Sequence, residues 1–167
     1  MARTWTKVAA GAIGASAARA AYGGAVRALL RRNVARLMDG DPAPLLAMYH
    51  RDAVLTFPGE HSWGRTHRGR DEVAAFLRRF LDVGLRGELG TIFLDGPPWA
   101  MRIAVEFDDH AHDPATGERI YENRAVIVLH TRWGRVVREE VYEDTQKVAA
   151  FDERLAARAA TPTAVHA

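Results

Sequence analysis

The sequence contains no cysteine. Disulfides, thiolate nucleophiles and thiolate zinc sites are excluded with it, although the compartment is not fixed by that absence. No stretch approaches the ~20 apolar residues that a membrane-spanning helix needs. Acidic residues are missing from positions 1–38, where Arg3, Lys7, Arg19, Arg27, Arg31, Arg32 and Arg36 stand without a counter-charge. The whole chain nevertheless carries a net charge of only +2. The basic segment reads as a solvated helix face or as a weak contact with an anionic membrane surface; no nucleic-acid partner is expected.

Apolar residues make up 48% of the 167, a globular composition with enough material for one real core. Residues 1–22 read as an Ala-rich basic extension, 23–157 as the domain and 158–167 as a flexible tail. Arg3 and Lys7 ahead of Val8–Ala18, with Ala15-Ser16-Ala17 behind, faintly match a secretory signal. That segment has no leucine and is broken by Gly11 and Gly14, so a helical extension on a cytoplasmic protein is the expectation.

Helices come first. Ala25–Met38 carries an apolar stripe of Val26, Leu29, Leu30, Val34, Leu37 and Met38. Pro44–Tyr49 reads as a short helix, and Ala53–Phe57 as a strand ended by Pro58-Gly59. A polar loop, Gly59–Gly69, holds Trp63. Arg70–Val83 is a third helix with Val73, Phe76, Leu77, Phe80 and Leu81 inward. Strands follow: Thr91–Leu94, then Trp99–Phe107 with Trp99, Met101, Ile103, Val105 and Phe107 on one face. Asp108–Glu118 reads as a loop. A last helix, Gln146–Ala157, is capped by Asp144 or Thr145. Helices followed by an antiparallel sheet indicate an α+β fold with the helices on one sheet face.

The chain is organised around Tyr121–Thr145, which reads as a β-hairpin feeding that last helix. A two-residue tip at Trp133-Gly134 places Arg124 opposite Glu143, Val126 opposite Val141, Val128 opposite Glu139, and His130 opposite Val137. Ile127, Leu129, Glu140 and Tyr142 then share the other face. Both faces mix apolar and ionisable groups, whereas a plain half-buried hairpin would segregate them. One face is therefore expected to line a cavity with charged groups near an apolar floor.

Three strings resemble the nuclear transport factor 2-like superfamily, which includes SnoaL-like polyketide cyclases, ketosteroid isomerases and limonene epoxide hydrolases. They are MYHRDAVLTFPG (Met48–Gly59), RGRDEVAAFLRRF (Arg68–Phe80) and WGRVVREEVYEDT (Trp133–Thr145). The resemblance spans Ala25–Leu155. It implies a curved, mostly antiparallel sheet wrapped against three N-terminal helices, a cone with a pocket, and a homodimer through the sheet. The fold does not fix the reaction. Where ketosteroid isomerases carry an Asp before the proline that ends the first strand, Phe57 precedes Pro58. Their first-helix tyrosine falls near Asn33. The last-strand acid of limonene epoxide hydrolases falls on Val141; a second acid of theirs falls near Asp109, without a clear partner arginine.

If the resemblance gives the right parity, Val141 faces the pocket together with Glu139, Glu143, Arg124 and His130. A carboxyl in a semi-apolar cavity has a raised pKa and can move protons near neutrality. Glu139, Asp109 and His110 are the candidate catalytic groups; Arg124, Glu143, His130, Trp63, Phe57 and Val141 are the candidate ligand contacts. The bland alternative keeps Arg124 and Glu143 as an ordinary cross-strand pair, Glu139 in solvent and Trp99 in the core. Asp108-Asp109-His110-Ala111-His112 has metal-ligand types, but its alternate residues point different ways and spacing fixes no further ligand, so no metal is expected. The expectation is a pocket for a small hydrophobic, oxygenated molecule. It serves a cofactor-free acid/base reaction (isomerase, cyclase, dehydratase or hydrolase), simple ligand binding, or a dimeric interaction module.

Overall fold

The computed structural model describes residues 3–160, with side chains described from residue 17 to 159. The helix α1 runs unbroken over Arg3–Met38, so the expected boundary at residue 22 falls inside a helix. A secretory signal or membrane contact would involve the first sixteen side chains, which lie outside the described residues. Among the described residues no helix is long and apolar enough to cross a membrane. From α1, Leu30, Asn33 and Leu37 are buried, while Leu29 is exposed.

A short helix α2 (Ala43–Leu46) leads into β1 (Tyr49–Thr56), with β2 (Thr66–Arg68) folded back on it and α3 (Arg70–Asp82) following. The strand thus starts at Tyr49, a residue expected in a helix, because Pro42 and Pro44 limit α2 to a single turn. Asp71 and Glu72 sit in the first turn of α3, where the helix dipole favours negative charge. Glu72 also accepts a hydrogen bond from the Arg68 N–H. Val73, Phe76 and Leu77 turn inward from α3.

Four longer strands complete the sheet: β3 (Arg86–Asp95), β4 (Arg102–His112), β5 (Arg119–Arg132) and β6 (Arg135–Glu143). Their order is β2-β1-β6-β5-β4-β3. All neighbours run antiparallel except β1 and β6. β3 is an edge strand, and α1 covers that edge: Arg27 donates to the Ile92 carbonyl, and Arg31 to those of Leu89 and Gly90. Satisfying these carbonyls removes a template for pairing with a further strand. The helix α4 (Thr145–Ala160) closes the chain, with the Asp144 carboxylate accepting from the N–H groups of Gln146 and Lys147.

Two expectations are corrected here. The segment Asp108–His112 is the second half of β4, not a loop, so the alternation Ile103, Val105, Phe107 continues through Asp109 and Ala111. Trp99, expected in the core, lies before β4 and is 53% exposed, its ring 6.2 Å from the ring of Trp133.

The hairpin tip is the expected Trp133-Gly134, and both residues take positive φ, as a type I′ turn requires. The register holds for one step, pairing Thr131 with Val136, and then slips: His130 pairs with Arg138. Val137 is the extra residue of a β-bulge. One residue of slip reverses which side chains share a face. Beyond the bulge, Ala125, Ile127 and Leu129 face the helices together with Glu139, Val141 and Glu143. Arg124, Val126, Val128 and His130 lie on the outer face with Glu140 and Tyr142. Both faces therefore still mix apolar and ionisable groups, but with different members from those the unbulged register gave.

Candidate functional site

Between the concave side of the sheet and helices α1–α3 lies a cavity of about 100 Å³. Its apolar wall comes from Val34, Leu37 and Leu45, from Phe76, Leu77 and Phe80 of α3, and from Phe57, Leu89, Phe107, Ala125, Ile127 and Val141 on the sheet side. Four ionisable side chains enter it: Tyr49, Asp109, Glu139 and Glu143. They arrive on three different strands, each at a position where alternation points inward.

Glu139 and Tyr49 form one polar pair. They are 6% and 4% exposed, and the Tyr49 hydroxyl donates to Glu139 Oε2. Burial pushes the Glu139 carboxyl up to about 7, and the hydrogen bond from Tyr49 opposes that rise. Tyr49 itself is raised well above its ordinary value, by burial and then by the neighbouring carboxylate. The proton therefore stays on the phenol, and Glu139 titrates near neutrality.

Asp109 and Glu143 form the second group. Burial raises Asp109 to about 6, while its own backbone N–H and the Tyr121 hydroxyl hold it down. Glu143 rises to about 8, first through burial and then through the negative charges of Asp109 and Asp144. Asn123, paired with Asp109 across β4 and β5, donates to Glu143 Oε2 (3.3 Å), to the Tyr121 hydroxyl (3.1 Å) and to the Asp144 carbonyl (3.1 Å). One oxygen of each acid, Asp109 Oδ1 and Glu143 Oε1, is buried without a hydrogen-bond partner. Leaving such an atom unsatisfied costs about 1–3 kcal/mol, so a pair of them facing one cavity is a feature to explain.

The sequence candidates divide accordingly. Asp109, Glu139, Glu143, Phe57 and Val141 meet in the cavity. Arg124 and His130 do not: the bulge at Val137 turns them outward, where Arg124 meets Glu106 (3.2 Å) and His130 lies 3.8 Å from Glu140. The expected Arg124–Glu143 pair is thereby corrected. His110 lies outside as well, beside an open groove of about 470 Å³ that shares Val34 and Leu89 with the cavity. Trp63, expected to stand in a polar loop, is 3% exposed; it packs against Phe76 and carries the Arg79 guanidinium over its ring at 3.8 Å. Tyr49 lines the cavity and was not anticipated, through the helix misassignment; nor were Tyr121 and Asn123, which stand behind the acids, because the loop assigned to Asp108–Glu118 hid their pairing with β4. Their parity on β5 was the available signal. Among the described residues no cluster of three or more His, Asp or Glu is placed to hold a metal ion.

The SnoaL-like domain family matches residues 30–139, about two-thirds of the chain. A search of curated proteins returns no match. Among solved structures, Bal32a from a soil-derived mobile gene cassette is 20% identical over 75% of this chain and 95% of its own, with a TM-score of 0.66. TerC, co-crystallised with polyporic acid, is 24% identical over 77% of this chain and 95% of its own, with a TM-score of 0.60. A protein of Burkholderia pseudomallei K96243, described as NTF2-like and of unknown function, is 24% identical over 73% of this chain and 92% of its own, with a TM-score of 0.61. At these identities the likeness concerns the fold: a curved sheet holding a pocket against helices. The domain match covers most of the chain, and the chain belongs to the SnoaL-like domain family.

Proposed function

We propose that the protein is a cofactor-independent acid/base enzyme that moves a proton at a carbon next to a carbonyl of a small, largely apolar molecule. The observation that carries this reading is the pair Asp109 and Glu143: two buried carboxyls, each with a free oxygen, on one cavity with an apolar wall. Between about pH 6 and pH 8 the pair holds one proton, since Asp109 releases its own near 6 and Glu143 near 8. A base and an acid then coexist at one site. Asp109 takes the proton from carbon, and the Glu143 carboxyl gives its proton to the carbonyl oxygen as the C–H electrons form the enol. Return of the Asp109 proton to the same or a conjugated carbon, with the enol proton going back to Glu143, completes an exchange or an isomerisation. Glu139, hydrogen-bonded to Tyr49, makes a further part of the wall polar.

The cavity, at about 100 Å³, is below the roughly 150 Å³ of an engineered apolar cavity that takes benzene, so a single ring is the upper bound for what it holds. The test is isomerisation of 3-cyclohexenone to 2-cyclohexenone in D₂O, followed by NMR. The reading requires accelerated conversion that Asp109→Asn and Glu143→Gln each abolish. Ketones that raise the melting temperature without turnover would instead establish a ligand-binding protein. We also propose a homodimer through the outer face of the sheet, where Val126 and Tyr142 pair across β5 and β6 and are 41% and 56% exposed. Sedimentation of Tyr142→Glu against the parent tests it: a dimer turned monomer supports it, and a monomeric parent removes it.

A further inference from the structure

A second, smaller cavity of about 30 Å³ lies on the other side of Asp109. It shares Phe57, Phe76, Phe80 and Asp109 with the main one. Its own walls are Trp63 from the loop after β1, Tyr121 from β5, and Val148 and Phe151 from α4. Nearly everything around it is aromatic or aliphatic; Tyr121 stacks on Phe151 at 4.5 Å. Two buried polar atoms break that pattern. Trp63 is 3% exposed, and its Nε1–H donates to nothing. Asp109 is 6% exposed, and its Oδ1 accepts from nothing. The Tyr121 hydroxyl accepts from Asn123 and bonds to Asp109, yet Oδ1 remains without a hydrogen bond.

An indole N–H can only donate, and an ionised carboxylate can only accept. The group that satisfies both at once must accept one hydrogen bond and donate another, and it must be small. A hydroxyl fits each requirement, and a space of this size is above the ~15 Å³ that one water-sized group needs. A carbonyl or an ether would satisfy Trp63 and leave Asp109 unpaired. An ammonium, the form a simple alkylamine takes near neutral pH, would do the reverse. A methyl would leave both atoms orphaned.

We infer that the chamber bounded by Trp63, Asp109 and Val148 is a hydroxyl-recognition subsite, so that the substrate of this enzyme is a small ketone bearing a hydroxyl group. This rests on the reading of Asp109 as the group that moves the proton. The hydroxyl anchors the molecule on one side of Asp109 while the carbonyl lies on the other, in the cavity with Glu143. Oδ1 carries two lone pairs, so accepting the hydroxyl leaves one for the proton taken from carbon. Selectivity follows from what is left unpaired: a ketone without the hydroxyl leaves the indole N–H and the carboxylate oxygen buried and unsatisfied.

The experiment is calorimetric titration of the full chain with cyclohexanone and with its 2-, 3- and 4-hydroxy derivatives. One hydroxy isomer is expected to bind at least tenfold tighter than cyclohexanone. Trp63→Phe keeps an aromatic ring and deletes the N–H; it should erase that preference and leave cyclohexanone affinity within threefold. Val148→Leu reduces the chamber without touching either polar atom and should erase the same preference, which keeps the idea testable if the Trp63 variant does not fold. Asp109→Asn retains an acceptor oxygen, so it should keep the preference while losing proton transfer; that separates failure of the subsite from failure of the proposed reaction. The inference is overturned if the parent protein favours no hydroxy isomer, or if a folded Trp63→Phe or Val148→Leu protein retains the preference. Equal loss of affinity for every ketone in these variants also overturns it, because a purely structural role would produce that result.

Discussion

The two faces of the central hairpin both carry carboxylates and treat them in opposite ways. On the outer face, Glu106 and Asp108 meet Arg124, and Glu140 meets Arg138 and His130. Glu106 is held below its ordinary range by hydrogen bonds from Thr91 and then by the Arg124 charge. On the inner face, Asp109, Glu139 and Glu143 are all pushed upward, and burial is the first cause in each. The residue types are the same; the difference is water and a cation. Acids left buried without a positive partner hold protons near neutrality, which is what proton-transfer chemistry needs. Glu106, paired at the surface, is favoured in its ionised form instead.

The strongest way to break this contrast is to shift the register of β6 by one residue. Deleting Val137, the extra residue, does not do so. It leaves every pair as it is, with His130 opposite Arg138 and Leu129 opposite Glu139, so the faces should persist and the protein should still unfold cooperatively in urea. Inserting one alanine between Arg138 and Glu139 has the opposite effect. Glu139 then falls opposite Val128 and Val141 opposite Val126, which turns Glu139, Val141 and Glu143 outward and Glu140 toward the helices. Burying that charge and exposing that apolar wall costs more than a typical domain can spare, so the insertion should abolish cooperative unfolding. An insertion variant with the parent's unfolding midpoint would show that the register does not set the faces.

Next in size is the loss of chemistry. Asp109→Asn should reduce 3-cyclohexenone isomerisation by about 10²–10⁴-fold while leaving the far-UV circular dichroism unchanged. The rate of the parent protein should follow a bell in pH, with limbs near 6 and 8 from the Asp109 and Glu143 pair. A rate that is flat across that window would assign the chemistry elsewhere.

The bulge at Val137 also shows how far the sequence can be read. Periodicity identified α3 to within a residue, because Val73, Phe76 and Leu77 repeat at helical spacing and the helix packs by one face. The type I′ tip was legible in Trp133-Gly134. The bulge was not, because Val137 is an ordinary strand residue and its insertion shows only in the pairing of two strands. That single residue moved Arg124 and His130 out of the site. Asp109 was misread for a different reason. A polar run, Asp108–His112, looks like a loop when strands are expected to be apolar, yet here it continues a strand whose inward acid is buried. Local rules fail most where a buried position is polar, and those positions are the site.

Smaller in effect, but sharper in sign, is the stability of the fold against pH. Glu139 has a folded pKa of about 7 against an ordinary 4.5. Below 4.5 it is protonated in both states. Between 4.5 and 7 the unfolded chain releases the proton and the folded one keeps it, so stability falls as pH rises through that window. The shift amounts to roughly 3 kcal/mol. Urea unfolding at pH 5 and pH 8 should show this decline, to which Asp109 and Glu143 add with the same sign, and Glu139→Gln should make it shallower by its own share. A variant with the parent's full pH slope would mean that Glu139 is ionised in the folded protein throughout.

The smallest effect belongs to the outer face. Arg124 is 68% exposed and lies 3.2 Å from Glu106 and 3.6 Å from Asp108. Coulomb energy between such groups is screened by water and ions, and ordering a long side chain costs entropy. Arg124→Ala should therefore cost less than ~1 kcal/mol, and the cost should shrink further in 0.5 M salt. The isomerisation rate should move less than twofold, since the sheet separates this guanidinium from the cavity. The same substitution would have been expected to destroy activity had the unbulged register been correct, with Arg124 beside Glu143. A tenfold rate loss in a folded Arg124→Ala protein would restore that register and dissolve the distinction between the two faces.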